Sequence, residues 1–118
     1  QNTRKVSVLA QSKAQLVVTV YDELLVALGA TVDLIHQGRK DAASLSIDRC
    51  HDLIQKGLLN YLDTRNNEVG TNLALMYTYW CQELTKANLH QNDARVLEVK
   101  EQATELRDTW KELVAQGY

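Results

Sequence analysis

The stretch NDARVLEVKEQATELRDTWKELVAQG, residues 92–117, is the part of the sequence that most clearly decides the fold. Its apolar residues recur at alternating steps of three and four, which places side chains on one side of an α-helix. These residues are Val96, Val99, Ala103, Leu106, Trp110 and Leu113. Most of the remaining positions are polar or charged, so the stretch predicts an amphipathic helix that packs along one face.

Three further stretches show the same helical spacing. The predicted helices span about residues 13–37, 42–62, 68–89 and 93–116, with short polar connections between them. Ser12 and Gln15 form a capping-box pattern before the first helix, and Gly38 is its predicted stop. Asp41 and Asn67 are the predicted N-caps of the second and third helices. Because helices of similar length joined by short turns pack antiparallel to their neighbours, we expect one all-α domain over residues 1–118. Its fold is predicted to be an up-down-up-down four-helix bundle with a short N-terminal leader.

The core of the other three helices is predicted from the same spacing. On the third helix the core stripe is Val69, Leu73, Met76, Trp80, Leu84 and Ala87. On the second it is Ile47, Cys50, Ile54, Leu58, Tyr61 and Leu62. On the first it is Leu16, Val17, Val20, Leu24, Ala27, Leu28, Thr31 and Ile35. Tyr21 and Tyr77 are expected to lie partly in the core, with their hydroxyls at its rim.

The composition agrees with a helical domain. The chain has 118 residues, of which 45% are hydrophobic and 24% charged, so it is not intrinsically disordered. It has no proline, where average usage would give about six, and this disfavours a turn-rich β fold. Lys and Arg number 13 against 15 Asp and Glu, a net charge of −2 that argues against nucleic-acid binding. No apolar run reaches the roughly 18 residues that a membrane-spanning helix needs.

Residues that could carry enzymatic chemistry are few and poorly placed. Two Asp-x-x-His pairs have a spacing that brings metal ligands together; they are Asp33 with His36 and Asp48 with His51. No predicted core position of the third or fourth helix supplies the carboxylates that would complete a di-metal site. Cys50 and Cys81 fall on or beside the predicted core, where a free thiol behaves as a small apolar residue. We therefore expect no enzyme, no metal and no cofactor.

Three predicted helices carry more apolar residues than one core stripe needs. The surplus positions are Val18, Leu25, Val32, Leu53, Leu59, Leu75 and Tyr79. Three interpretations are open: a wide core with a few surface leucines, a groove for an amphipathic helix of another chain, and a homodimer surface. The pattern by itself does not choose among them.

The stretch NEVGTNLALMYTYWCQELTKANL, residues 67–89, resembles the flagellar secretion chaperone (FliS) family. The matching positions are Glu68, Val69, Asn72, Leu73, Tyr77, Tyr79, Leu84, Ala87 and Asn88. Gln15-Leu16 to Tyr21-Asp22, Leu62-Asp63 and Leu106 to Glu112 resemble other elements of that family, so the resemblance covers about residues 8–113. Lys13, Gly70 and Thr78 depart from its pattern, and the family's N-terminal segment with its tyrosine has no match.

The resemblance implies a helical chaperone of the bacterial cytoplasm that is not an enzyme. Such a protein binds the disordered C-terminal segment of flagellin, prevents premature polymerisation and delivers flagellin to the type III export apparatus. The export gate and an anti-sigma factor are further partners it suggests. The alternative is a helix-binding adaptor, a paralogue with a non-flagellin client such as an anti-sigma factor. A monomer or weak homodimer without nucleic acid or membrane insertion is expected.

Together, the surplus apolar positions and the resemblance predict a partner-binding surface. Its residues are Val18, Leu25, Val32, Leu53, Leu59, Asn72, Leu75, Tyr79 and Asn88. Tyr79 is the best anchor candidate because Tyr is favoured at interface hot spots. The two asparagines are expected to satisfy backbone groups of the client. Val6, Val8 and Leu9 are expected to fold over the groove as an N-terminal cap in the free protein.

Overall fold

The computed structural model describes residues 12–63, 65 and 67–117, and the predicted cap residues Val6, Val8 and Leu9 lie outside these ranges. In the described ranges the chain forms helices and connections without a β-strand, which confirms the predicted all-α class. We number the helices α1, Lys13–His36; α2, Lys40–Asp52; α3, Glu68–His90; and α4, Asp93–Ala115. Helix α2 continues into a π-helical turn, Leu53–Leu58, and a 3₁₀ turn, Leu59–Tyr61.

Side-chain contacts fix an antiparallel order in which each helix lies against its sequence neighbours and α1 also closes against α4. For every adjacent pair, residue numbers fall along one helix as they rise along the other. The contacts are Glu23–Arg49 and Thr31–Ser46 for α1–α2, Ser44–Asn88 and His51–Cys81 for α2–α3, Tyr79–Glu98 and Glu83–Arg95 for α3–α4, and Asp22–Arg107 and His36–Asp93 for α1–α4. The α1–α4 contact is the most extensive of these. The bundle is therefore the predicted up-down-up-down arrangement.

The helix ends explain where each element begins and stops. The Ser12 hydroxyl accepts from the Gln15 amide at 3.1 Å while the Gln15 side chain accepts from the Ser12 amide, which confirms the capping box. The Asn67 side chain caps α3 by accepting from the Gly70 amide at 3.1 Å. The predicted Asp41 N-cap is wrong, because α2 begins at Lys40 and Asp41 lies in its first turn. A carboxylate there still favours the helix, since it faces the positive end of the helix dipole.

The tight α1–α2 connection accounts for that early start. Gly38 adopts a left-handed φ of +70°, which a side chain would disfavour. The Gly38 and Arg39 amides bond back to the carbonyls of Ile35 and Leu34, both at 3.0 Å, in the pattern of a Schellman cap. The chain thus reverses within three residues and leaves no room for a longer, separately capped loop.

An aromatic cluster forms the centre of the core. Tyr21, Tyr77 and Trp80 are fully buried, with ring centroids 5.3–6.4 Å apart. The expectation that the two tyrosine hydroxyls reach the rim is wrong, because they bond each other at 2.8 Å inside the core. Since burial strips water from both phenols, their pKa values are raised and both stay protonated.

The π-helical turn of α2 brings that helix very close to α1. A Cβ placed on Gly57 would lie only 2.7 Å from Cγ1 of Val20, so a glycine is needed at this contact. Leu53 precedes Gly57 by four residues and shares its α1-facing side. The expectation that Leu53 stands clear of the core is therefore wrong: its side chain is 8% exposed and belongs to the core cluster.

Candidate partner-binding surface

An apolar ridge runs along the outer side of α3. We call the set Val69, Asn72, Leu75, Met76 and Tyr79 the α3 ridge; its members recur three or four residues apart and so share one helical face. All five are exposed, and Leu75 is 66% and Tyr79 40% exposed. The predicted core positions Val69 and Met76 are wrong, since the structure puts Tyr77 in the core instead. With Tyr77 facing the core, Val69 and Met76 face solvent.

The packing of α3 explains where the ridge lies. Its buried residues, Tyr77, Trp80, Leu84 and Ala87, point into the bundle. The Ser44–Asn88 hydrogen bond joins α3 to α2, and the Glu83–Arg95 ion pair and the Tyr79–Glu98 hydrogen bond join it to α4. The ridge thus lies on the α4 side of α3, where Tyr79 touches α4 and Leu75 stays exposed to solvent.

A charged cluster marks the end of the ridge at Tyr79. Glu83 is almost fully buried, and its carboxylate binds Arg95 at 2.7 Å and Lys86 at 3.4 Å. Desolvation opposes ionisation of Glu83, yet the hydrogen bonds from these two cations lower its pKa. Partial desolvation and the carboxylates of Glu83 and Glu98 raise the pKa of Tyr79, so its hydroxyl stays protonated and donates to Glu98 at 3.4 Å. The ring of Tyr79 thus lies beside the α4 edge of the ridge.

The predicted surface residues of α1 do not join the α3 ridge. Val18, Leu25 and Val32 are half-buried and recur every seven residues on the side of α1 that faces α4. Leu25 and Val32 pack against the core, and Val18 shares a cavity of about 240 Å³ with Val114 of α4. These residues serve the α1–α4 contact, because a helix with two neighbours needs apolar residues on two sides.

Two further predicted residues are also engaged within the chain. Leu59 is half-buried and packs against the core. Asn88 is half-buried; its side-chain oxygen accepts from the Ser44 hydroxyl at 2.8 Å and from the Gln91 amide at 3.3 Å. Of the nine predicted positions, Asn72, Leu75 and Tyr79 are thus the ones that the structure brings together on one exposed face.

A groove between α1 and α2 was missed by the sequence interpretation. It encloses about 600 Å³ and is lined by Asp22, Glu23, Val26, Ala27, Ala30, Leu45, Ser46 and Arg49. Val26 is 74% and Leu45 71% exposed. A signal for it existed in the sequence, since both residues are large, apolar and off the core stripes of their helices. We call this feature the α1–α2 groove.

Other chemistry in the described part of the chain is structural. No group of three or more metal-ligating side chains occurs among the described residues. His36 pairs with Asp93 across the α1–α4 contact. Its ring is therefore engaged with α4 rather than paired with Asp33 as a metal ligand. Cys50 is buried, and desolvation raises its pKa to about 11, so its thiol is unreactive at neutral pH. None of the helices described here has the length and apolar character to cross a bilayer.

The chain is thus a helical bundle with large apolar side chains exposed on α3. Comparison with known proteins identifies the family to which the chain belongs. The family model described as "Flagellar protein FliS" matches residues 1–117, and the chain belongs to this family.

Three characterised relatives carry the name flagellar secretion chaperone FliS. The chain is 29% identical to the Escherichia coli (strain K12) protein over 107 residues, which are 90% of this chain and 79% of the relative. It is 27% identical to the Salmonella typhimurium protein over 108 residues, covering 91% and 80% of the two chains. It is 24% identical to the Bacillus subtilis protein over 108 residues, covering 92% and 80%.

Proposed function

We propose that this chain is a flagellar export chaperone of the bacterial cytoplasm whose client is flagellin. In this proposal it binds the disordered C-terminal segment of flagellin, prevents premature polymerisation and hands the subunit to the type III export apparatus. Family membership supports the chaperone role, since the characterised relatives are named flagellar secretion chaperones. The alternative client class is a non-flagellin segment, such as part of an anti-sigma factor.

The observation that carries the proposal is the α3 ridge. An unstructured segment that orders on binding needs exposed apolar surface that is present before the client arrives. From Val69 to Tyr79 the ridge is about 15 Å long, at 1.5 Å per helical residue. Coupled folding and binding typically buries on the order of 1,000–3,000 Å². The ridge is therefore an anchor within a larger interface rather than the whole of it.

Within the ridge, Leu75 and Tyr79 are the proposed anchors. Both project large side chains from a helix that is already formed, so no backbone of α3 has to be ordered when a client covers them. Asn72 lies three residues before Leu75 and is exposed, so its amide can bond a client backbone group. The charged cluster at Glu83 bounds the apolar contact at one end, because an apolar client residue placed there would desolvate an ion pair.

Calorimetric titration with the C-terminal segment of flagellin from the same organism tests the proposal. Tight one-to-one binding with a large negative heat-capacity change is expected, since that change reports burial of apolar surface. Tyr79→Ala and Leu75→Ser should each weaken binding by roughly tenfold or more, the range of an interface hot spot. Leu89→Ser is the matched control, because Leu89 is exposed on the same helix but away from the ridge.

The thermal midpoints of these variants decide how a loss of binding is interpreted. All three side chains are exposed, so midpoints close to that of the parent protein are expected. Undiminished affinity in the Tyr79 and Leu75 variants would refute the ridge as the client site. No binding by the parent protein would refute flagellin as the client and favour the alternative client class.

A further inference from the structure

The α1–α2 groove lies on a different side of the bundle from the α3 ridge. It lies between α1 and α2 and is lined by residues of these two helices alone. Val26 lines it from α1 and Leu45 from α2. Its floor includes Ala27 and Ala30, whose small side chains let another backbone come close. From Asp22 to Ala30 the groove is about 12 Å long, or a little over two helical turns.

Acidic residues surround the groove. On α1, Asp22 and Glu23 line it, and Asp33 lies seven residues after Val26, on the same helical face. The sole Lys or Arg of α1 is Lys13, more than three turns from Val26. On α2, Asp41 and Asp48 lie four residues before and three residues after Leu45, so both flank it on the outer face.

Cations near the groove are mostly committed to partners. Arg49 binds Glu23 at 3.3 Å, and Arg107 of α4 binds Asp22 at 2.9 Å. Lys100 of α4 reaches Gly29 on the flank of α1 that faces α4. Arg39 and Lys40 lie beyond the groove, at the start of α2. Among the described residues, Asp33, Asp41 and Asp48 take part in no ion pair, and they are exposed.

We infer that the α1–α2 groove is a second docking site, and that its occupant is a basic amphipathic helix of another protein. An apolar stripe two to three turns long would cover Val26 and Leu45. Lysines or arginines on either side of that stripe would face Asp33, Asp41 and Asp48. Charge complementarity of this kind steers association and excludes acidic helices. The inference is independent of the flagellin proposal, because the two surfaces share no residue.

Two synthetic peptides of about five helical turns, roughly 18 residues, test the inference. Both carry the same leucine stripe at helical spacing; one has lysines and the other glutamates on the flanks. Binding to the full chain is followed by fluorescence anisotropy and by stopped-flow association. The lysine peptide is expected to bind, and the glutamate peptide to bind roughly tenfold or more weakly.

Charge reversal at the groove gives the decisive comparison. Asp41→Lys combined with Asp48→Lys should slow association of the lysine peptide by roughly tenfold or more at low salt. The effect should shrink at 1 M salt, where the Debye length falls to about 3 Å. Glu101→Lys combined with Glu105→Lys makes the same change of net charge on the exposed face of α4 and should leave association near that of the parent.

Leu45→Ser tests the apolar contact and separates the other possible occupants. This substitution should weaken binding of the lysine peptide at every salt concentration. The thermal midpoint of the variant should match that of the parent, since Leu45 is exposed. Equal binding of the two peptides, or equal slowing in both charge-reversal variants, would overturn the inference. It would also be overturned if Leu45→Ser changes self-association in sedimentation but not peptide binding, because the groove would then serve a second copy. Loss of flagellin binding in Leu45→Ser would assign the groove to the client surface instead.

Discussion

The buried hydroxyl pair of Tyr21 and Tyr77 makes a sharp prediction about the stability of the bundle. The two oxygens lie 2.8 Å apart with no access to water, and the residues are 56 positions apart in the chain. Removing one hydroxyl leaves the other buried without its partner, which costs about 1–3 kcal/mol. Replacing both by phenylalanine removes the need for a partner and leaves a similar shape in the core.

The three variants should therefore be strongly non-additive. Tyr77→Phe is expected to lower the free energy of unfolding by about 1–2 kcal/mol. Tyr21→Phe is expected to cost a similar amount, about 1–2 kcal/mol, because it leaves the Tyr77 hydroxyl buried without its partner. The double variant should cost less than the sum of the two by about 1 kcal/mol or more.

Urea unfolding followed by tryptophan fluorescence measures these values, since Trp80 packs against both tyrosine rings and Trp110 packs against the core. The parent, the two single variants and the double variant form one thermodynamic cycle. Equal m-values are required, so that midpoints report stability alone. Losses that add within about 0.5 kcal/mol would refute the argument that the hydroxyls depend on each other.

Two other perturbations have equally definite outcomes. Gly57→Ala should destabilise the fold by about 1–3 kcal/mol, because its Cβ would meet Val20 at 2.7 Å; combining it with Val20→Ala should cost less than the sum in urea unfolding. Because the pKa of Glu83 is lowered in the folded state, its stabilisation is complete above the ordinary pKa of 4.5 and is lost as pH falls through the folded value. Thermal midpoints of Glu83→Gln should accordingly decline less steeply than those of the parent between about pH 5 and pH 3, and parallel curves would contradict this assignment.

Helix α4 and the starts of α1 and α3 could be predicted because their signals are local. The spacing of Val96, Val99 and Ala103 identifies one core stripe, and all three are buried. Capping by Ser12 and Asn67 involves residues three positions apart, so the sequence contains both partners. Periodicity and cap chemistry are thus sufficient where each interaction is made within one helix.

The core line of α3 could be predicted only in part. Trp80, Leu84 and Ala87 are buried as predicted, but the prediction followed the line through Val69 and Met76 where the structure buries the line through Tyr77. The hydroxyl made Tyr77 look suited to the rim, and its buried partner, Tyr21, is on a distant helix. Such a long-range pairing decides which line faces inward, and spacing along one helix does not contain it.

The candidate surface was predicted in part for a related reason. A helix in a four-helix bundle contacts two neighbours, so apolar residues off the main stripe are often used by the second contact. Val18, Leu25 and Val32 are used in this way against α4. Leu75 stays exposed and Tyr79 lies at the edge of α4, where its hydroxyl bonds Glu98, while Val26 and Leu45 form a groove only because α1 and α2 pack side by side.

The dominance of the α1–α4 contact has a consequence for the timing of folding during synthesis. Of the four helices, α1 leaves the ribosome before the others and finds its most extensive partner in α4, which follows them; the Asp22–Arg107 ion pair joins residues 85 positions apart. Contacts of such long range delay folding until both ends are present. A nascent chain can form the α1–α2 hairpin early, yet its α4-facing residues stay uncovered until α4 has been synthesised. The bundle is therefore completed only once α4 has emerged, and a chain truncated before α4 would expose the same apolar stripe as a target for degradation.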